Sequence, residues 1–304
     1  MGWTDATWHV WNDLGKVLPQ LEAGADPNAG PGHRPLHMAA QRGSPEVVAV
    51  LASRVDDVDA LHEGRTALWV AVYEDHADNA RALLAAGADP WRPMMAGWSP
   101  GRLGLAGPLA PLFADGPHRL SPGEAALATE AVRLRAALDD PGRFDEGTGL
   151  AAVAGIDAAE VARRLGATPY EGDDPAGTWP GDVVGVTDVP GGAVLTQPWG
   201  YAPQMPGVTK ALSAGTVCYG VYANPKSGDQ GSIARDGGIV GWDLHPGGEP
   251  FETDPADQVL LSYLYRYDAM AYACGYAGVR PTDARPVTGP PDVWLRLPAK
   301  DYWT

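Results

Sequence analysis

In the first third of the chain, apolar residues recur at helical spacing in short blocks that end at glycine. Pro35 stands where a helix can begin, because a first-turn position has no use for the N–H that proline lacks; Leu36, Ala39 and Ala40 follow on one face. Gly43 predicts a left-handed stop, and Val47, Val50 and Leu51 mark the inner face of a second helix. A later block offers Ala80, Leu83 and Leu84, closed by Gly87. Ser121, Pro122 and Glu124 form a capping box ahead of a long helix over 125–138, and Asp157 caps another over 158–165, stopped at Gly166. From Asp182 the period falls to two. Val183, Val184, Val186 and Thr187 run into the turn Pro190-Gly191-Gly192, and 193–196 is the return strand. Strands are also predicted at 216–222, at 231–234 and 239–244 around the tight turn Asp236-Gly237-Gly238, and at 293–297. A helix is predicted over 256–275, with Val259, Leu260, Leu264, Met270 and Ala271 inward.

The early blocks repeat. Gly32-His33-Arg34-Pro35-Leu36-His37-Met38-Ala39-Ala40 returns, weakened, as Gly64-Arg65-Thr66-Ala67-Leu68-Trp69-Val70-Ala71-Val72, and a fainter copy opens at Gly97-Trp98-Ser99-Pro100, at intervals of 32 and 33 residues. Gly-Ala-Asp-Pro stands at 24–27 and again at 87–90. Two phrases sharing one period indicate a helical solenoid. They resemble the ankyrin repeat. The match is good over 32–60 and retained over 64–93, with Ala67 in place of proline and Trp69 in place of histidine. It is degenerate over 97–114, and 8–29 supply the second helix and turn of an incomplete leading repeat. The resemblance implies protein recognition through hairpin tips and the concave face of the inner helices. It also gives His37 a structural role, bonding backbone within the turn.

The fold expected is therefore α+β: an ankyrin-type solenoid of about three repeats over 1–119, a bridging helix and linker over 120–149, and a mixed domain with an antiparallel sheet and packed helices over 150–304. The last part resembles an uncharacterised actinomycete C-terminal domain family of unknown function. The likeness is carried in order by Gly155-Ile156-Asp157, Ala162-Arg163-Arg164-Leu165-Gly166, Gln197-Pro198-Trp199-Gly200-Tyr201, Leu212-Ser213-Ala214-Gly215, Tyr222-Ala223-Asn224, Asp236-Gly237-Gly238-Ile239-Val240 and Gly275-Tyr276-Ala277-Gly278-Val279-Arg280. It implies a bacterial α+β module and no known activity.

Charge narrows the partners. The net charge is -16; residues 1–119 hold 9 basic and 14 acidic residues, so -11 falls beyond them. Such a field repels a phosphate backbone, so nucleic acid is not an expected partner, whereas a basic protein is. The segment 159–166 has the look of a first helix of a helix-turn-helix, but the acidic, broken Glu171-Gly172-Asp173-Asp174-Pro175 follows it. The two cysteines, Cys218 and Cys274, fit a reducing compartment. The N-terminus lacks a signal-peptide pattern, and no apolar run is long enough to span a membrane, so a cytoplasmic protein with no membrane partner is expected.

Candidate chemistry is sparse. No zinc-ligand spacing, nucleophile elbow or P-loop is present, so no metal and no cofactor is expected. Cys218 and His245 are the only nucleophile–base pair to be tested, in an enzyme that would act on a peptide or small molecule, as in natural-product maturation, with the repeats holding substrate. Against it, Cys218 lies mid-strand among apolar neighbours. Aromatic residues are the stronger signal. Trp69, Trp91 and Trp98 lie in the repeats, and Trp199, Tyr201, Tyr222 and Trp242 lie on or beside strands, with Asn224 near them. They are either binding residues or core; for Trp91 and Trp98 the competing role is packing against the C-terminal part. Tyr263, Tyr265, Tyr267, Tyr272 and Tyr276 surround one predicted helix, so several must face solvent or a partner. The combined reading is an interaction protein of regulatory or immunity type, binding a basic protein such as a toxin or nuclease.

Overall fold

A computed structural model describes Trp3 and residues 10–29, 34–140, 146–172, 181–224 and 226–303. The repeat residues Gly32 and His33 and the acidic stretch 173–175 lie outside them. The chain divides into two compact units, Met1–Ala128 with Pro250–Tyr263, and Thr129–Glu249 with Leu264–Thr304. This differs from the contiguous division expected at 119 and 150. The long helix after Ser121 is shared between the units, and a segment of the C-terminal part folds with the repeats.

In the first unit α1 (Leu14–Glu22) precedes two helix pairs, α2 (Pro35–Arg42) with α3 (Pro45–Ala52) and α4 (Ala67–Tyr73) with α5 (Ala77–Ala85). The short α6 (Pro100–Gly104) and α7 (Ala110–Phe113) follow, then α8 (Pro122–Leu138). Each helix packs on its counterpart one repeat away: α1 on α3, α2 on α4, α3 on α5 and α4 on α6. Ser44, Thr66 and Ser99 cap α3, α4 and α6 through their hydroxyls. Gly43 is extended, not left-handed as its place after α2 suggested. Its missing side chain matters for space, since a Cβ would lie 2.7 Å from the carbonyls of Ala39 and Trp11. The hairpin His62–Arg65 closes by two backbone bonds, with Glu63 and Gly64 at positive φ, as a two-residue turn requires.

Polar side chains tie repeat to repeat. Asn79 donates to the carbonyls of Ala39, Ala40 and Gly43, the open end of α2. Asp59 accepts from the backbone N–H of Asp89, and Asn28 from that of Asp56. His37 reaches further than its own turn: Nε2 donates to the carbonyl of Arg65, 3.0 Å away in the next hairpin. Its Nδ1 is buried without a partner. A proton there would meet no acceptor, and burial holds the imidazole down at about 4.

The second unit holds β1 (Gly149–Ala154), α9 (Ala158–Leu165), β2 (Thr168–Pro169), β3 (Val183–Val189), β4 (Gly192–Gln197), α10 (Pro206–Leu212), β5 (Val217–Tyr222), β6 (Gln230–Arg235) and β7 (Gly238–Asp243). In the chain α11 (Ala256–Leu264) follows, all but its last residue in the first unit, and α12 (Ala269–Ala277), α13 (Arg285–Thr288) and β8 (Val293–Arg296) complete the second. Eight strands form one antiparallel sheet in the order β2-β8-β3-β4-β1-β5-β6-β7. On one face Val153, Val186, Leu195 and Cys218 join Val161 and Leu165 of α9 and Val208 and Leu212 of α10 in a core. On the other, α12 crosses β1 and β5, and Tyr219 meets Tyr272 and Tyr276. The predicted helix over 256–275 is two helices. Tyr267 has φ 63°, and Asp268 caps α12 by accepting from the N–H of Ala271. The break sorts the tyrosines: Tyr263, Tyr265 and Tyr272 are buried, while Tyr267 is exposed.

Two stability experiments follow from these features. At Gly192 a Cβ would sit 2.0 Å from the backbone carbonyl of Val153, which cannot move without breaking β1–β4 pairing. Gly192→Ala is expected to lower stability by about 1–3 kcal/mol in urea unfolding. Gly123→Ala, in α8 with open space around it, should be neutral or raise it by about 0.4–1 kcal/mol. The second concerns His37. Between its ordinary value and about 4 the unfolded chain binds a proton that the folded chain refuses, so stability is full above that window and falls as pH drops through it. The loss is up to roughly 3 kcal/mol. The slope of stability between pH 7 and pH 5 should flatten in His37→Gln; an unchanged slope would assign it elsewhere.

Candidate functional site

The side of the repeats that the resemblance assigns to recognition is built from the hairpin and the first helix of each pair. In this chain that side is already engaged. Arg65, in the hairpin, donates from Nη2 to the carbonyl of Pro250 at 3.0 Å. Tyr73, at the end of α4, donates its hydroxyl to the carbonyl of Ser262 at 3.1 Å, and Trp98, just ahead of α6, donates from Nε1 to that of Ala256 at 2.8 Å. Tyr263 packs its ring 5.8 Å from that of Tyr73 and turns its hydroxyl toward Asp75. Gly107 makes room for it, since a Cβ there would stand 2.0 Å from the Tyr263 hydroxyl oxygen, and Gly64 does the same for Glu252. Residues 250–263 thus occupy the hairpin and first-helix side as a ligand would, through main-chain carbonyls and one buried aromatic side chain.

This sets the fate of the repeat tryptophans. Trp69 and Trp98 are each 1% exposed, so neither is offered to a partner; this corrects their assignment as binding residues. Trp98 instead takes the packing role foreseen for it, against a segment from the C-terminal part. Trp91 is half-buried and stays within its own repeat, with Phe113 at 6.1 Å and His118 at 5.1 Å.

In the second unit the structure brings two of the expected residues, Tyr201 and Tyr222, together, with Trp199 on the same loop as Tyr201. Buried Gln197 fixes the loop after β4: its amide N–H donates to the carbonyls of Gly181 and Val183, and its Oε1 accepts from Ala202. That loop displays Trp199, 61% exposed, and Tyr201, 45% exposed. Trp199 has φ 56°, a conformation costing roughly 1–3 kcal/mol for a bulky side chain. Tyr201 lies 5.9 Å from Tyr222 edge to face, and 5.8 Å from Trp303. Trp303 is 53% exposed, and no sequence pattern marks it. It sits in an irregular tail, and its display depends on buried Tyr302, whose carbonyl accepts from Gly207. Asn224 does not join the cluster through its polar atoms. Its amide donates to Ser227 and its carbonyl accepts from Lys226, stabilising a turn. Trp242 is exposed on edge strand β7 with Val240, and Leu244 just beyond the strand is exposed as well.

The nucleophile–base pair is not assembled. Cys218 is wholly buried in the sheet core and its thiol is pushed up by burial, whereas His245 is exposed, and no hydrogen bond joins them among the described residues. Tyr219 donates to Asp243 at 2.7 Å from inside the sheet, and burial pushes its hydroxyl well up, as for a structural bond. Among the described residues no group of His, Cys, Asp and Glu is placed to hold a metal ion, and no helix is long and apolar enough to cross a membrane.

No curated protein matches the chain. Beyond residue 94 no family model matches. Residues 8–94 match the family described as ankyrin repeats, in three copies, so the helical region is an ankyrin-repeat region and the chain carries a protein-recognition fold.

Proposed function

We propose that the protein binds a basic partner protein as a regulatory or immunity-type factor, and that the aromatic cluster of Trp199, Tyr201, Tyr222 and Trp303 is its main contact. The observation that carries this reading is the exposure of Trp199 and Tyr201 on a pinned loop, with exposed Trp303 beside Tyr201. Large aromatic side chains supply most of the energy at protein interfaces, yet here they are held toward solvent, one of them at a backbone cost. The charge supports a basic partner. The chain is -16 overall, -11 of it beyond residue 119, and aromatic faces attract Arg and Lys. The repeats contribute by holding residues 250–263, which leaves recognition to surfaces that remain open.

The test is capture of partners by the full chain from lysate of its source organism, compared with Tyr201→Ala/Trp303→Ala. Both side chains are about half exposed and outside the core, so melting should change little. The partner is expected to be basic, to dissociate as salt rises, and to bind the double variant roughly 30-fold more weakly, about 2 kcal/mol. Equal capture by the variant, or an acidic partner held regardless of salt, would sink the reading.

A further inference from the structure

The first unit contains a recess of opposite character. It lies between the loop before α6 and the start of α8 and has a volume of about 390 Å³, within the range of small-molecule sites. Trp91, Pro93 and Leu120 line it with apolar surface, and Arg102, His118 and Arg119 with basic groups. The lining also includes one carboxylate, Glu124.

Both oxygens of Glu124 are already used: Oε1 accepts from Nη2 of Arg102, and Oε2 from the N–H of Ser121 in the capping box. Its charge is therefore answered by Arg102, which also lies 4.2 Å over the Trp98 ring. Arg119 has no carboxylate partner among the described residues. Its Nη1 donates to the carbonyls of Gly116 and His118, which leaves Nε and Nη2 of the guanidinium fork available. The recess is thus locally positive in a chain of net charge -16.

The apolar wall is rigid. A Cβ at Gly101 would lie 2.6 Å from the Trp91 ring and one at Gly116 only 1.9 Å, so two glycines admit that ring to its place, and Phe113 meets it at 6.1 Å. A fixed indole, with the His118 ring 5.1 Å from it, and an unneutralised guanidinium lining one recess are suited to a flat apolar body carrying an oxyanion.

We propose that this recess is a binding site for a small aromatic carboxylate, with Arg119 holding the carboxylate and Trp91 the ring. The same chemistry is offered by a free acid and by a peptide ending in phenylalanine. This site is independent of the partner surface on the second unit, so either can fail without the other.

The experiment is calorimetric titration of the full chain with phenylacetate, phenylacetamide and acetate, repeated on Arg119→Gln. Arg119 is exposed, and an unchanged melting profile verifies the fold. Phenylacetate should bind with a dissociation constant of about 1 mM or tighter. The amide and acetate should each bind at least about tenfold more weakly, and Arg119→Gln should lose a similar factor. A tripeptide ending in phenylalanine, free or amidated at its C-terminus, separates the sources: tighter binding of the free form assigns the site to peptide termini, and no peptide binding assigns it to free acids. Equal binding of phenylacetate and its amide, or full affinity in Arg119→Gln, would overturn the proposal.

Discussion

A stack of three short repeats has an exposed apolar side wherever the stack is not continued or covered. In this protein residues 250–263 meet that constraint, and the first unit depends on them. Tyr263 is fully buried, and burial of a side chain of that size contributes roughly 1.5–3 kcal/mol. Three main-chain carbonyls of the segment accept from Arg65, Tyr73 and Trp98. Gly64 and Gly107 are shaped to this occupant. The chain therefore leaves the repeats, builds a sheet, and supplies the first unit with its missing cover.

Much of this was legible in the sequence because it rests on local chemistry. The capping box at Ser121, the cap at Asp157 and the hairpins at Pro190-Gly191-Gly192 and Asp236-Gly237 each need particular residue types at fixed positions, and each formed. What was not legible depends on distance. Central strand β1, Gly-Leu-Ala-Ala-Val-Ala, has no alternation because both its faces are covered, and its alanines read as well in a helix or linker. The pattern of α11 shows which residues are apolar, yet not that they would be buried against a unit far earlier in the chain. The break falls at Arg266-Tyr267-Asp268, a short polar interruption that one helical period spans, so the apolar residues on both sides read as a single helix.

The same limit applies to the candidate surfaces. Trp69, Trp98, Trp199 and Trp242 are indistinguishable by type; two became core and two remained exposed. Gln197 decides the matter for Trp199, through three hydrogen bonds that fix its loop. Trp303 follows from the anchoring of Tyr302 in a tail whose sequence has no period. Physically, the chain keeps two unlike surfaces: aromatic residues in an acidic half, and a small basic recess beside Trp91. Opposite ligand chemistries suit them, which is reason to treat them as separate sites.

The central claim is that the recognition side of the repeats is filled by the chain itself, and amide hydrogen exchange of the full-length protein tests it most directly. A nine-residue helix such as α11 has little stability alone, so its amides are protected only if it is docked. Amides of 259–263 are predicted to exchange as slowly as those of α4, and faster in Tyr73→Phe/Gly107→Ala. Exchange of 259–263 near the rate of an unstructured peptide, with α4 still protected, would contradict the account.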